Sequence, residues 1–71
     1  MPARLRDIAR VAALYGVTVT PGARHFHARD EHGRVYPIPA HNGLKTEISD
    51  VYLRKFCQAF GIDYAEFRRQ L

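Results

Sequence analysis

A single cysteine, Cys57, is all the thiol this chain has. An internal disulfide is therefore excluded, and no zinc ribbon can be assembled from cysteine ligands. No apolar run approaches the ~20 residues that cross a bilayer. Arg4, Arg6, Asp7 and Arg10 interrupt the N-terminal stretch, which is not a signal-peptide pattern. Repeats, low-complexity tracts and linkers are also lacking. These absences point to a reducing, cytoplasmic compartment with no membrane contact. Acidic residues are the minority, 7 Asp and Glu against 11 Lys and Arg, for a net charge of +4. That excess favours anionic partners, nucleic acid among them. A chain of 71 residues makes one small domain, which buries only about 60% of its unfolded surface. Little room is left for an enclosed small-molecule pocket, so no small-molecule cofactor is expected.

What is present is a clear order of elements. Leu5, Ile8, Ala9, Ala12 and Tyr15 recur at helical spacing, which predicts a first helix over residues 2–15, stopped by Gly16. Val17-Thr18-Val19-Thr20 is β-branched throughout and reads as a strand. Pro21-Gly22 marks a turn. A second strand covers residues 24–29, and a third covers residues 34–38 after a turn that ends at Gly33. Pro37 and Pro39 place the third strand at a sheet edge or at its own end. Residues 40–45 form a loop. The second helix starts between Thr46 and Ser49, with Tyr52, Leu53, Phe56, Cys57 and Phe60 as its apolar stripe. Gly61-Ile62 reads as a Schellman stop, and Asp63 with Glu66 as a capping box for a last short helix. The expected class is α+β: an α-β-β-β-α order, with helices on one face of an antiparallel three-stranded sheet.

The chemistry concentrates in residues 24–41. Strand alternation puts Phe26 and Ala28 on one face and His25, His27 and Arg29 on the other. Histidine moves protons near neutral pH, and arginine holds phosphate. A His-x-His pair on a strand is also half of a zinc site, but neither His32 nor His41 stands at a diagnostic spacing for the third ligand. No metal site is expected. Tyr36, Tyr52, Phe56 and Phe60 read as core, and Cys57 as a buried, inert thiol.

The order and the hairpin together resemble the HicA toxin family of bacterial toxin–antitoxin systems. His25 lies eight residues before Gly33, the family's spacing from its active histidine to its turn glycine. Gly33-Arg34 matches the turn, Ile38-Pro39-Ala40-His41 the strand end, and Gly61-Ile62 the helix end. Where the family has Gly-Ser-His, this chain has Ala23-Arg24-His25, with its glycine one place early at Gly22. Where the family often opens its second helix with Pro-Gly, Ser49-Asp50-Val51 stands here. The resemblance implies a small double-stranded-RNA-binding-like fold and an mRNA-cleaving ribonuclease. It also implies a HicB-like antitoxin as partner.

On that basis His25 is the expected catalytic base, drawing a proton from an RNA 2′-hydroxyl. Arg24, His27, Arg29, Arg34 and Lys45 are the expected RNA contacts, with His27 placed to serve the leaving oxygen. The plain alternative for each is a solvated surface side chain. Two other functions fit the same residues: a non-catalytic RNA-binding module, read by shape and phosphate, or a protein-interaction domain whose basic face meets an acidic protein.

Overall fold

Apolar spacing near the N-terminus does produce a helix, but it starts later than expected. In the computed structural model, which describes residues 2–71, helix α1 spans Leu5–Ala13 and buries Leu5, Ile8, Val11 and Ala12. The two residues before it are extended as strand β1, Ala3–Arg4. The helix stop follows the expected chemistry. Gly16 N–H donates to Ala13 O, and Val17 N–H to Ala12 O at 3.1 Å, the paired bonds of a Schellman closure.

Strands β2 (Thr18–Pro21), β3 (His25–Arg29) and β4 (Val35–Pro39) form an antiparallel sheet in that order. Phe26 faces Pro21 and Ile38, and Ala28 faces Val19 and Tyr36. These make the inner face. On the outer face His27 lies between Thr20 and Pro37, and Arg29 between Thr18 and Val35, while His25 faces Pro39. The β3–β4 connection is closed by Asp30 N–H to Arg34 O at 3.1 Å and Gly33 N–H to Asp30 O at 3.3 Å. Gly33 has φ +84°, a left-handed conformation that disfavours any residue with a Cβ.

The prolines of β4 fix its orientation. Neither Pro37 nor Pro39 can donate an N–H to β3, so these positions turn their backbone outward. Tyr36 and Ile38, between them, carry the ladder bonds. In agreement, Pro37 O accepts the Tyr52 hydroxyl from the helical layer.

After β4 comes a 3-10 turn, Gly43–Lys45, and then a strand absent from the sequence reading, β5, Glu47–Ile48. It pairs antiparallel with β1, Ala3 against Ile48 and Arg4 against Glu47. Leu5 N–H extends the pairing to Thr46 O at 2.8 Å. Thr46 is buried, and its hydroxyl accepts Asn42 N–H at 2.9 Å.

Helix α2, Asp50–Ala59, starts on Ser49, whose hydroxyl accepts Tyr52 N–H at 3.2 Å. It ends through Gly61 N–H to Gln58 O and Ile62 N–H to Cys57 O at 2.8 Å, the stop its Gly-Ile pair predicts. Helix α3, Tyr64–Arg69, is capped by Asp63, whose carboxylate accepts Glu66 N–H. Glu66 does not return the bond as a capping box would. Its carboxylate instead accepts the Tyr15 hydroxyl at 2.8 Å, which ties α3 to the end of α1. Asp50 makes the other tie, accepting the Tyr64 hydroxyl and Arg54 Nε. The Tyr64 bond and then the Arg54 bond hold the Asp50 carboxyl below its ordinary range.

The architecture is α+β, with the helices on one face of the three-stranded sheet. Its core is Leu5, Ile8, Ile38, Leu53, Phe56 and Phe67, with Ala28 and Cys57 beside them. Phe56 is the hub, with its ring 5.2 Å from Phe60, 5.9 Å from Phe67 and 6.3 Å from Tyr36. Burial pushes the Cys57 thiol up to about 11, which makes it a poor nucleophile. Among the described residues, no helix is long and apolar enough to cross a membrane.

Phe56→Ala should cost about 3–5 kcal/mol. A chain of this size has a total stability of roughly 4–10 kcal/mol. Chemical denaturation should therefore show a substituted chain that has lost a large share of its stability. A loss of less than ~1 kcal/mol would mean that the ring is not the hub of this core.

Candidate functional site

Alternation along β3 follows directly from the register. Ala28 is completely buried and Phe26 half-buried, while His25, His27 and Arg29 are exposed. The outer face of the sheet carries no helix. It is a shallow surface of Thr18, Thr20, His25, His27, Arg29 and the β4 residues opposite them. Two residues along a strand span about 6.7 Å, so the His25 and His27 rings project side by side. Arg29 lies on the same face, about 13 Å along the strand from His25.

His27 has a seat that the sequence reading missed. A Cβ placed on Gly22 would lie 2.6 Å from His27 Cε1, 2.7 Å from its Nδ1 and 2.5 Å from the His25 carbonyl oxygen. The turn between β2 and β3 therefore approaches the imidazole so closely that only glycine fits. Gly22 was legible as a turn residue from Pro21-Gly22. Its contact with the ring was not, because it depends on how the turn folds back over β3.

The other expected residues divide by position. Arg24 is exposed in the turn beside His25. Arg34 sits at the opposite end of the hairpin and is already engaged. Its Nε donates to Asp30 Oδ2 at 2.6 Å, and half of its side chain stays exposed. Asp30 Oδ1 also accepts the backbone N–H groups of His32 and Arg34 at 3.0 and 2.8 Å. Arg34 thus holds the turn, whatever else it contacts. Lys45 lies away from the hairpin, at the rim of a cavity formed with Arg4, Arg6, Asn42 and Glu47. His41 lines a separate shallow cavity with Pro39, Ser49 and Tyr52. Arg54, which falls off the apolar stripe of α2, bonds Asp50 and lies 4.5 Å over the Tyr64 ring. Among the described residues, no group of three or more His, Cys, Asp or Glu could hold a metal ion.

The sheet face therefore brings together two histidines, with Arg24 at one end and Arg29 at the other. Neither arginine has an ion-pair partner among the described residues. Such a surface can present a base, an acid and phosphate-binding charge to an extended polyanion. In comparisons with protein-family models, curated proteins and solved structures, none matches the chain. A function for it rests on its own residues.

Gly22→Ala should force the turn off His27 at a cost of about 1–3 kcal/mol. Denaturation measures that cost, and the His27 ring resonances report the displacement. Unchanged resonances at wild-type stability would mean that the ring is not seated on Gly22.

Asp30 gives a pH prediction. Burial pushes its carboxyl up, but the Arg34 side chain and the Arg34 and His32 backbone bonds outweigh it, so the net shift is downward from 3.8. The unfolded chain then takes up the proton first as pH falls. The stabilisation is complete above the ordinary carboxyl range and is lost as pH drops through the lower folded value. Stability measured down through that range should fall less steeply for Asp30→Asn than for the wild type. Parallel acid limbs would remove Asp30 as a contributor.

Proposed function

We propose that this chain is an RNA-cleaving toxin of the HicA type, built on a double-stranded-RNA-binding-like fold, with His25 as its general base. The observation that carries the reading is the side-by-side exposure of His25 and His27 on the helix-free face of the sheet. The family-like order of motifs along the chain supports it as well.

The chemistry needs only groups on that face. Neutral His25 takes the proton of a 2′-hydroxyl, and the 2′-oxygen attacks the adjacent phosphorus. The bond from phosphorus to the 5′-oxygen breaks, and protonated His27 supplies the proton that the leaving oxygen needs. The products are a 2′,3′-cyclic phosphate and a 5′-hydroxyl end. A base and an acid on neighbouring outward positions can flank one phosphate, each within reach of its oxygen. Arg24 beside His25 stabilises the charge that gathers on the phosphoryl oxygens. Arg29 and Lys45 take more distant phosphates, and Arg34 contributes through its exposed half. The Gly22 seat orients the His27 ring. No metal is required for this route.

The partner on this reading is a HicB-like antitoxin. It covers the basic face with an acidic surface and so makes expression of the toxin safe.

Induced expression should arrest growth for the wild type and not for His25→Ala, with both proteins verified as folded. Purified wild type should leave 2′,3′-cyclic phosphate ends on RNA. A 2′-deoxy substitution at the cleaved position should abolish the cut. Arrest by both proteins would move the base away from His25. Harmless expression of folded wild type would defeat the reading.

One observation favours a second reading, a non-catalytic RNA-binding module. Arg24 occupies the position before His25 where the family has a small serine, which strengthens phosphate grip without adding a proton carrier. Tight RNA binding with no turnover would select it.

A further inference from the structure

A cavity of about 590 Å³, open to solvent, is lined by Arg4, Arg6, Asn42, Lys45 and Glu47. It belongs to neither histidine. Three cations and one anion give its lining a net charge of +2. Its walls come from distant parts of the chain. The β1–β5 pairing brings Arg4 against Glu47, and the Leu5 N–H to Thr46 O bond holds the 3-10 turn with Lys45 beside the start of α1. The cluster is thus a product of the fold.

The ion pairs of the chain lie outside this cluster. Arg10 is paired with Asp7, Arg34 with Asp30, and Arg54 and Arg68 with Asp50. Arg4, Arg6 and Lys45 have no such partner among the described residues. Arg4 and Glu47 are opposite each other in the strand pair, yet their charged groups make no ion pair. Arg4 is also the N-cap of α1 and makes no side-chain capping bond, so the positive end of the helix adds to the field. Unpaired like charges held around one concavity cost stability unless an anion joins them.

The cavity is joined along the chain to the end of β4 that pairs with His25. His25 faces Pro39, the last residue of β4, and the chain runs from there through His41 to Asn42 and Lys45. Pro39, His41 and Glu47 line a further shallow cavity along this route.

We propose that Arg4, Arg6, Asn42 and Lys45 form a second phosphodiester-binding subsite, which holds the backbone of a single RNA strand away from the histidine face. The inference rests on the RNA reading above and extends it. The arginines and Lys45 bind a phosphate by charge, and the Asn42 side-chain amide donates to a phosphoryl oxygen. Glu47 opposes the same ligand and limits affinity. The subsite gives grip without chemistry, so a strand is held at a distance from the bond that is cut.

The test uses the full chain and a labelled single-stranded 2′-O-methyl RNA, which cannot be cleaved because its 2′-oxygen is blocked. Binding is followed against salt for the wild type, Arg4→Gln/Lys45→Gln, Lys55→Gln/Arg69→Gln and Glu47→Gln. Both double variants remove the same charge, and Lys55 and Arg69 are exposed residues outside the cavity. Each lost phosphate contact on a single strand should flatten the log–log salt slope by ~0.7. The Arg4/Lys45 variant should therefore lose about 1.4 in slope, the Lys55/Arg69 variant close to none. Glu47→Gln should bind more tightly than the wild type. Equal slopes in the two double variants, or weaker binding by Glu47→Gln, would overturn the subsite while leaving the RNA reading intact. A wild type that binds no RNA at any salt, yet captures polyglutamate, would overturn both and assign the cavity to an acidic protein.

Discussion

Two missing N–H groups in one edge strand determine which way this molecule faces. Pro37 and Pro39 cannot donate to β3, so they take the positions of β4 whose backbone points outward. That choice puts Tyr36 and Ile38 on the ladder and on the inner face, opposite Ala28 and Phe26. With register of period two, His25, His27 and Arg29 are left no place but the outer face. A one-residue slip of β3 would bury three polar side chains and expose Phe26. A one-residue slip of β4 would expose Tyr36 and Ile38 and require a proline to donate a bond. The same prolines blunt the open edge of the sheet against pairing with another chain. Tyr52 completes the seal by bonding Pro37 O from α2.

Much of the molecule could be read along the chain because its determinants are local. The stops of α1 and α2 depend on a glycine and the residue after it, and both made the expected bonds. The β3–β4 turn depends on Asp30 through Gly33, and the outward histidines on simple alternation. What escaped reading depends on residues far apart in sequence. The pairing of β1 with β5 joins Ala3 to Ile48. Each strand has two residues, too few for any periodicity to register. Helical spacing alone therefore extended the first helix over residues that are extended. The capping box of α3 was half legible for a similar reason. Asp63 caps as expected, but Glu66 is taken by Tyr15, a residue fifty-one positions earlier. Among the candidate site residues, Arg34 was recognised by type, and its commitment to Asp30 appears only in the folded turn.

The distribution of charge follows the same division of labour. Asp7, Asp30 and Asp50 each neutralise a cation near the helices or the turn. In Asp50 the carboxylate also joins α2 to α3 through Tyr64. The scarce acidic residues are thus spent where they secure the scaffold. The cations without such a partner include Arg29 on the sheet face, Arg24 in the turn before it, Arg4, Arg6 and Lys45 around the cavity, and Lys55 and Arg69 on the helices. The net excess of basic residues is accordingly carried by side chains that no acidic neighbour pairs with among the described residues.

A domain this small must place nearly all its large apolar side chains in one core, and here that core lies on the helical side of the sheet. Phe56, Phe67, Leu5 and Ile8 supply it, and β3 and β4 contribute Ala28 and Ile38 from their inner face. The outer face is then released from packing. Its side chains touch few neighbours, so changes there cost little stability, and chemistry can be placed on it without weakening the fold. The exception is His27, whose ring lies against Gly22. A surface histidine held by a close backbone contact gives up rotamer freedom that a merely solvated one would keep. That loss gains nothing for the core, which is on the other side of the sheet. It does orient an imidazole beside a second one, and orientation of a proton carrier matters for a site in a way that it does not matter for a surface.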